Sequence, residues 1–214
     1  MTIIDKTILF VKQQLQDAEG GHDWFHIERV YKNAVLIAQE EVCDVTIVKL
    51  GALLHDIADS KFHEGDEEIG PITARKFLES ENVSEEITEH VIQIIKNISF
   101  KGGNFEKQFT SKELEIVQDA DRLDALGAIG IARTFNYGGF KNRALYNPNI
   151  APKLNMSKEE YKTSDSPTLN HFYEKLLLLK DKMNTESGKK IAQERHRFME
   201  IFLSQFYAEW EGEK

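Results

Sequence analysis

His55 and Asp56 stand side by side where an apolar helix should be ending. Leu50, Leu54 and Ile57 recur around them at helical spacing, which puts the pair late in a core helix. Gly51 lies one turn before His55, where it would let a neighbouring helix approach closely. An isolated carboxylate is costly to bury. Asp56 therefore needs a cation, a hydrogen-bond network or a route to water, and one cation would meet most of that need. A second pair, His22-Asp23, follows Gly20-Gly21 and precedes a helix, so Asp23 also suits an N-cap. His26 lies near the start of that helix, four residues after His22. Two imidazoles at that spacing chelate zinc when both are helical. The double glycine argues that His22 stands outside the helix, which favours His26 as a ligand and His22 as a group that contacts substrate or supports a ligand. Taken alone, His26 serves equally as a hydrogen-bonded core or surface histidine.

Asp121 is the most informative acid. Leu114 and Val117 set a buried stripe, and the next positions along it are Asp121 and Asp124. Acids thus continue an apolar face into what should be core. An ion-pair network with Arg122 or Arg133 is one account, although buried networks of that kind are often no net gain. A metal is the other. Together His26, His55, Asp56 and Asp121 come from three separate helices. Mixed imidazole and carboxylate donors suit one divalent ion with water at its open positions, and Mn²⁺, Mg²⁺, Fe²⁺ and Zn²⁺ all remain open.

The elements that must position these residues are helices throughout. Ile4, Ile8, Val11 and Leu15 mark a first helix, and Ile27, Val30, Tyr31, Ala34 and Ala38 a second. Asp44 caps a third through Ile47, Leu50 and Leu54. Pro71 fits the first turn of a helix through Ala74, Phe77 and Leu78. Ser84 opens another, with the stripe Ile87, Val91, Ile94, Ile95 and Ile98. The next runs from near Ser111 through Leu123 into Leu126, Ile129 and Ala132. Residues 136–168, with Gly138-Gly139, Pro148, Pro152 and Pro167, read as a long irregular excursion or a boundary. Leu169, Phe172, Tyr173, Leu176 and Met183 mark one closing helix, and Ile191, Phe198, Phe202 and Phe206 the last. No strand-like alternation of useful length occurs, so the fold class expected is all-α. The closing pair is expected to pack on the first bundle.

Composition narrows the function. A hydrophobic fraction of 41% in 214 residues supports a sizeable core. The formal net charge of -9 argues against broad nucleic-acid binding and against a basic membrane surface. It leaves room for a small anionic substrate, because a metal reverses the field inside a pocket. Cys43 is the one cysteine and forms no intramolecular disulfide, in keeping with a reducing, cytoplasmic setting. The N-terminal residues lack a signal-peptide pattern, and no apolar run spans a bilayer. His63 and His90 lie in acidic surroundings and are expected to be exposed; His171 and His196 lie on the late helices, in roles left open.

His26, His55-Asp56 and Asp121 resemble the H…HD…D pattern of the HD-domain metal-dependent phosphohydrolase superfamily. Longer runs carry a likeness to a small stand-alone bacterial branch: residues 22–30, 53–57, 119–130 and 171–177, in that order along nearly the whole chain. The resemblance implies a helical bundle with additional C-terminal helices, forming one domain over residues 1–214. The core would cover about 22–126 and the extension about 166–210. It also implies a divalent metal and hydrolysis of phosphate esters or anhydrides in nucleotides, with a nucleoside triphosphate giving a monophosphate and pyrophosphate. Nucleotidase-type phosphomonoesterase activity and non-catalytic nucleotide sensing are the alternatives. Some relatives carry a histidine just before the pair that aligns with Ser99-Phe100; Ile98 stands there in this chain, so one metal is expected. An acid at Asp59 assists catalysis in a related branch. Lys61, Arg29, Arg133 and Lys175 are candidates to neutralise phosphate oxygens. The partner implied is a small phosphorylated substrate, a nucleotide, with no nucleic acid or membrane; a homodimer is allowed.

Overall fold

Most helices begin on a side chain that accepts hydrogen bonds from the first, otherwise orphaned, backbone amides. Thr2 and Asp5 form a reciprocal capping box at the start of α1 (Ile3–Gln14). Asp23 caps α2 (Trp24–Ala38), and Asp44 takes the amides of Thr46 and Ile47 at the start of α3 (Val45–Leu54). Helix α4 (Ile69–Ser80) carries Pro71 as its third residue, and Ser84 caps α5 (Glu85–Asn97). The Ser111 hydroxyl accepts from the Leu114 amide at 3.0 Å to open α6 (Lys112–Leu123). Then come α7 (Gly127–Phe140), a short α8 (Asn170–Glu174), a 3-10 helix (Leu176–Lys182) and α9 (Glu186–Trp210). The structure is a computed structural model that describes residues 1–16, 23–57, 68–98, 109–156, 160 and 165–214. Among the described residues there is no strand, and the fold is all-α.

Contacts divide the chain into two compact units, Met1–Asp121 and Arg122–Lys214. In the first, α3 packs against α1, α2 and α5. Seven of its residues, Ile47, Val48, Leu50, Gly51, Ala52, Leu53 and Leu54, are buried, while Val45, Thr46 and Lys49 near its start stay partly exposed. A Cβ on Gly51 would meet Ile94 of α5 at 3.2 Å and Val117 of α6 at 3.4 Å. The glycine thus lets two helices close on α3 one turn before His55. Phe10 of α1 stacks on Phe77 of α4 at 4.1 Å, and Arg75 of α4 bonds both Glu85 and Glu89 of α5.

The second unit departs from expectation in three places. The helix through Asp121 stops at Leu123 instead of continuing to Ala132. Gly127 takes a positive φ of 70°, which breaks the helical path, and a Cβ there would lie 3.1 Å from Arg195 Cγ. The same arginine donates from Nη1 to the Leu123 carbonyl at 2.6 Å, capping the end of α6. After this break the buried face of α7 is Gly130, Ile131 and Thr134, while Ile129 is exposed. Residues 136–140 belong to α7 rather than to an irregular excursion. The expected helix over 169–183 is split at Lys175, whose φ of -144° and ψ of -56° separate α8 from the 3-10 turn. Helix α9 is one long helix as expected, but Ala192, His196, Met199 and Leu203 form its buried stripe, and Phe198 is exposed. Phe202 joins Phe135 and Phe172 in an aromatic cluster, each pair of rings 5.9 Å apart.

Thr88 of α5 is fully buried, and its hydroxyl has no hydrogen-bond partner among the described residues. A buried unmade hydrogen bond costs ~1–3 kcal/mol, whereas an apolar group of the same shape costs little. Thr88→Val is expected to raise unfolding stability by ~1 kcal/mol in urea titrations, while Thr88→Ala, which opens a cavity, lowers it.

Candidate metal centre

The expected ligands meet within the first unit. His26 sits in the first turn of α2, where Asp23 Oδ1 accepts from its backbone amide at 3.0 Å. The cap therefore fixes the backbone that carries the imidazole. His55 follows the last residue of α3. Its Nδ1 lies 2.9 Å from the Ala52 carbonyl oxygen. A carbonyl only accepts, so Nδ1 carries the proton and Nε2 presents a lone pair. That Nε2 points toward Asp121 Oδ1 at 4.0 Å, and His26 Nε2 lies 3.6 Å from the same oxygen. The two rings stand edge to face with centroids 5.4 Å apart. Asp56 completes the group: one donor atom each from His26, His55 and Asp56 falls within 4.8 Å of the others.

The His26–Asp121 and His55–Asp121 separations are too long for hydrogen bonds. They suit donors around a shared ion, since two atoms each ~2.1 Å from a metal stand roughly 3–4 Å apart. Electrostatics supports the same fit. Asp56 follows the C-terminal end of α3, and Asp121 lies in the last turn of α6. Both carboxylates thus occupy the negative ends of helix dipoles, where cations are favoured and anions are not. The imidazoles are buried, at 4% exposure for His26 and 7% for His55, whereas the Asp121 side chain is 42% exposed. Nitrogen donors are held rigidly below, with a carboxylate open to solvent above. The donor types, the fixed His55 tautomer and the helix ends fit a divalent cation.

The other expected residues are distributed as follows. Arg29 is on α2, one turn past His26 and half-buried. Arg133 on α7 pairs with the buried Asp124 carboxylate and also donates to the Asp124 carbonyl at 3.3 Å. Arg122 donates to the Lys182 carbonyl at 2.7 Å. Lys175 is exposed at the break after α8. His22, Asp59, Lys61 and His63 lie outside the described residues. His90 is not exposed as expected: its side chain is 25% accessible, with Nε2 2.9 Å from Ser111 Oγ and 3.4 Å from Glu113 Oε2. His196 is buried, its Nε2 3.3 Å from Glu200 Oε1 and its Nδ1 without a hydrogen-bond partner among the described residues. Burial, then the Lys175 and Arg143 cations, push the His171 pKa down to about 4. Sequence reasoning passed over Asn33, although it lies seven residues past His26 on the same buried face of α2. A polar residue on an apolar stripe was the available signal.

Fold and site together define a class: an all-α protein with an imidazole–carboxylate donor set where three helices meet. Residues 24–126 match the HD domain family, and the chain belongs to the HD-domain superfamily of hydrolases. A crystal structure described as an HD-superfamily hydrolase from Bacillus thuringiensis is similar at 47% identity and a TM-score of 0.79, covering 97% of this chain and 96% of that one. The Bacillus subtilis (strain 168) protein YpgQ is 37% identical over 204 residues, 92% of this chain and 88% of YpgQ. The crystal structure of YpgQ in complex with ADP aligns with a TM-score of 0.77 at 34% identity, covering 96% of this chain and 94% of that one. Among the described residues, no helix is long and apolar enough to cross a membrane.

Two outcomes are expected. Mn²⁺ at 100 times its dissociation constant should stabilise the wild-type protein by ~2.7 kcal/mol in chemical denaturation. Asp56→Ala and Asp121→Ala should keep their helical circular dichroism and lose that increment. For His171, the folded pKa lies below the unfolded value near 6.5, so the unfolded chain binds the extra proton first. Its contribution to stability is present above pH ~6.5 and is lost as pH falls toward 4. NMR titration of the ring should show it neutral at pH 5, and His171→Gln should flatten that part of the stability profile.

Proposed function

We propose that the protein is a divalent-metal-dependent phosphohydrolase that converts a nucleoside triphosphate and water to a nucleoside monophosphate and pyrophosphate. The observation that carries the reading is the grouping of His26, His55 and Asp56, whose donor atoms lie within 4.8 Å of one another, together with Asp121 Oδ1 at 3.6 Å from His26 Nε2 and 4.0 Å from His55 Nε2. The relative crystallised with ADP supports a nucleotide as ligand. A divalent ion bound by these four residues would acidify a water toward a pKa of ~7 and offset charge on phosphoryl oxygens. His55 contributes a lone pair whose direction the Ala52 carbonyl sets. The cap on α2 orients His26, and the exposed edge of Asp121 leaves the open side of the site wet. Asp59, three residues beyond Asp56, is the proposed base that takes the proton from the attacking water. As that oxygen bonds to the α-phosphorus, the bond to the bridging oxygen breaks and pyrophosphate leaves. His22, Arg29, Lys61, Arg133 and Lys175 are the candidates for holding the phosphates, with Arg29 nearest in sequence to a ligand.

Product identification tests the reading. Metal-loaded protein incubated with a panel of nucleotides should release pyrophosphate, visible by ³¹P NMR. Inorganic phosphate from monophosphates would make it a nucleotidase-type phosphatase instead. Binding without turnover across the panel would make it a sensor. Asp59→Asn should lower kcat by ~10²–10⁴-fold while leaving metal affinity near the wild-type value.

A further inference from the structure

We propose that Asn33 is a positioning residue for the metal centre, setting the place of Asp121 against His26. The proposal rests on the metal-site reading above. Asn33 lies on α2 seven residues after His26, two turns along the same face. It is buried at 8% exposure, among Val30, Ala34 and Ile37, which are fully buried. An amide is an expensive occupant of such a stripe unless it is hydrogen-bonded. Its Nδ2 donates to the carbonyl oxygen of Ala120 at 3.3 Å. Ala120 immediately precedes Asp121 and lies in the last turn of α6.

The bond therefore ties the helix that carries one imidazole to the turn that carries the carboxylate. The last turn of a helix is where fraying starts, and the Asp121 carboxylate, 42% exposed, has little packing of its own to hold it. Ala120 is fully buried and can bring only its main chain to a polar contact. A leucine or alanine at position 33 would pack the stripe as well as asparagine does but would leave that carbonyl without this donor. Asn33 touches neither ion nor substrate; it acts through the backbone of α6, as outer-layer partners of metal ligands do.

The test measures Mn²⁺ dissociation constants by electron paramagnetic resonance for wild type, Asn33→Ala, Asn33→Asp and Leu78→Ala. Asn33→Asp keeps the side-chain shape and removes the donor; Asn33→Ser provides a smaller alternative should either fold poorly. Leu78 is a fully buried residue of α4, outside the ligand set, and controls for lost stability. The expected result is ~10–100-fold weaker Mn²⁺ binding in the Asn33 variants, the range for outer-layer partners, with a broadened Mn²⁺ signal from a less regular site. Leu78→Ala should bind Mn²⁺ as wild type does, though it unfolds more easily. Asn33 variants within twofold of the wild-type constant would overturn the proposal while leaving the metal centre intact. A wild-type protein that binds no Mn²⁺, Mg²⁺, Fe²⁺ or Zn²⁺ would overturn both.

Discussion

Negative charge gathered at the ends of two helices is the constraint on which the first unit depends. α3 ends beside Asp56 and α6 ends around Asp121, so side-chain carboxylates add to main-chain carbonyls already carrying partial negative charge. Nothing in helix packing asks for this arrangement. Cations are what a helix C-terminus favours, and α6 carries Arg122 in its last turn beside Asp121. The two imidazoles facing Asp121 are buried, and His55 holds its proton on the nitrogen turned away from it. The site is therefore arranged as a set of lone pairs, and it is completed by a cation from outside the chain.

Holding such a set in place requires a rigid base, and the burial of α3 supplies it. A helix buried over most of its length has little freedom to rotate without exposing part of that surface. Gly51 brings α5 and α6 close to its axis, so the helix that delivers His55 and the helix that delivers Asp121 are in contact within one turn of the donors. Leu50, Leu53 and Leu54, all fully buried, lock the segment that leads into the pair. Packing of this density resists sub-ångström adjustment. The distances between donors are thus a property of the core rather than of local side-chain preference.

The candidate donors stand out in the sequence because they contradict their surroundings. An acid on the stripe set by Leu114 and Val117, and a His-Asp pair after Leu53-Leu54, conflict with burial unless a cation resolves them. Caps were equally plain, since Asp23, Asp44 and Ser84 stand just before apolar periodicity begins, whereas the capping box at Thr2 came from the structure. What was hidden depends on contacts distant in sequence. Gly127 reads as a tolerated glycine within a helix, and only Arg195, packed where its Cβ would be, shows why the chain turns there. The phase of α9 was misread because its phenylalanines pack on one another at the edge of the buried stripe, leaving Ala192, His196, Met199 and Leu203 to form it. The break at Lys175 has no glycine or proline to announce it.

Ligand holding and substrate choice are placed differently along the chain. His26, His55 and Asp121 stand within or directly beside regular helices whose caps and core contacts fix them. The candidates for acting on substrate fall largely in the segments between helices: His22 between α1 and α2, and Asp59 and Lys61 between α3 and α4. Connecting segments accept changes in sequence and length that a buried helix cannot, because they carry less of the core. One helical frame can thus keep a constant cation geometry while neighbouring segments alter what is bound against it. His22 precedes His26 by four residues, and Asp59 follows Asp56 by three, so these candidates lie within about one helical turn's worth of chain of the grouped donors. Short tethers of that kind keep these candidate groups close along the chain to the residues grouped as donors.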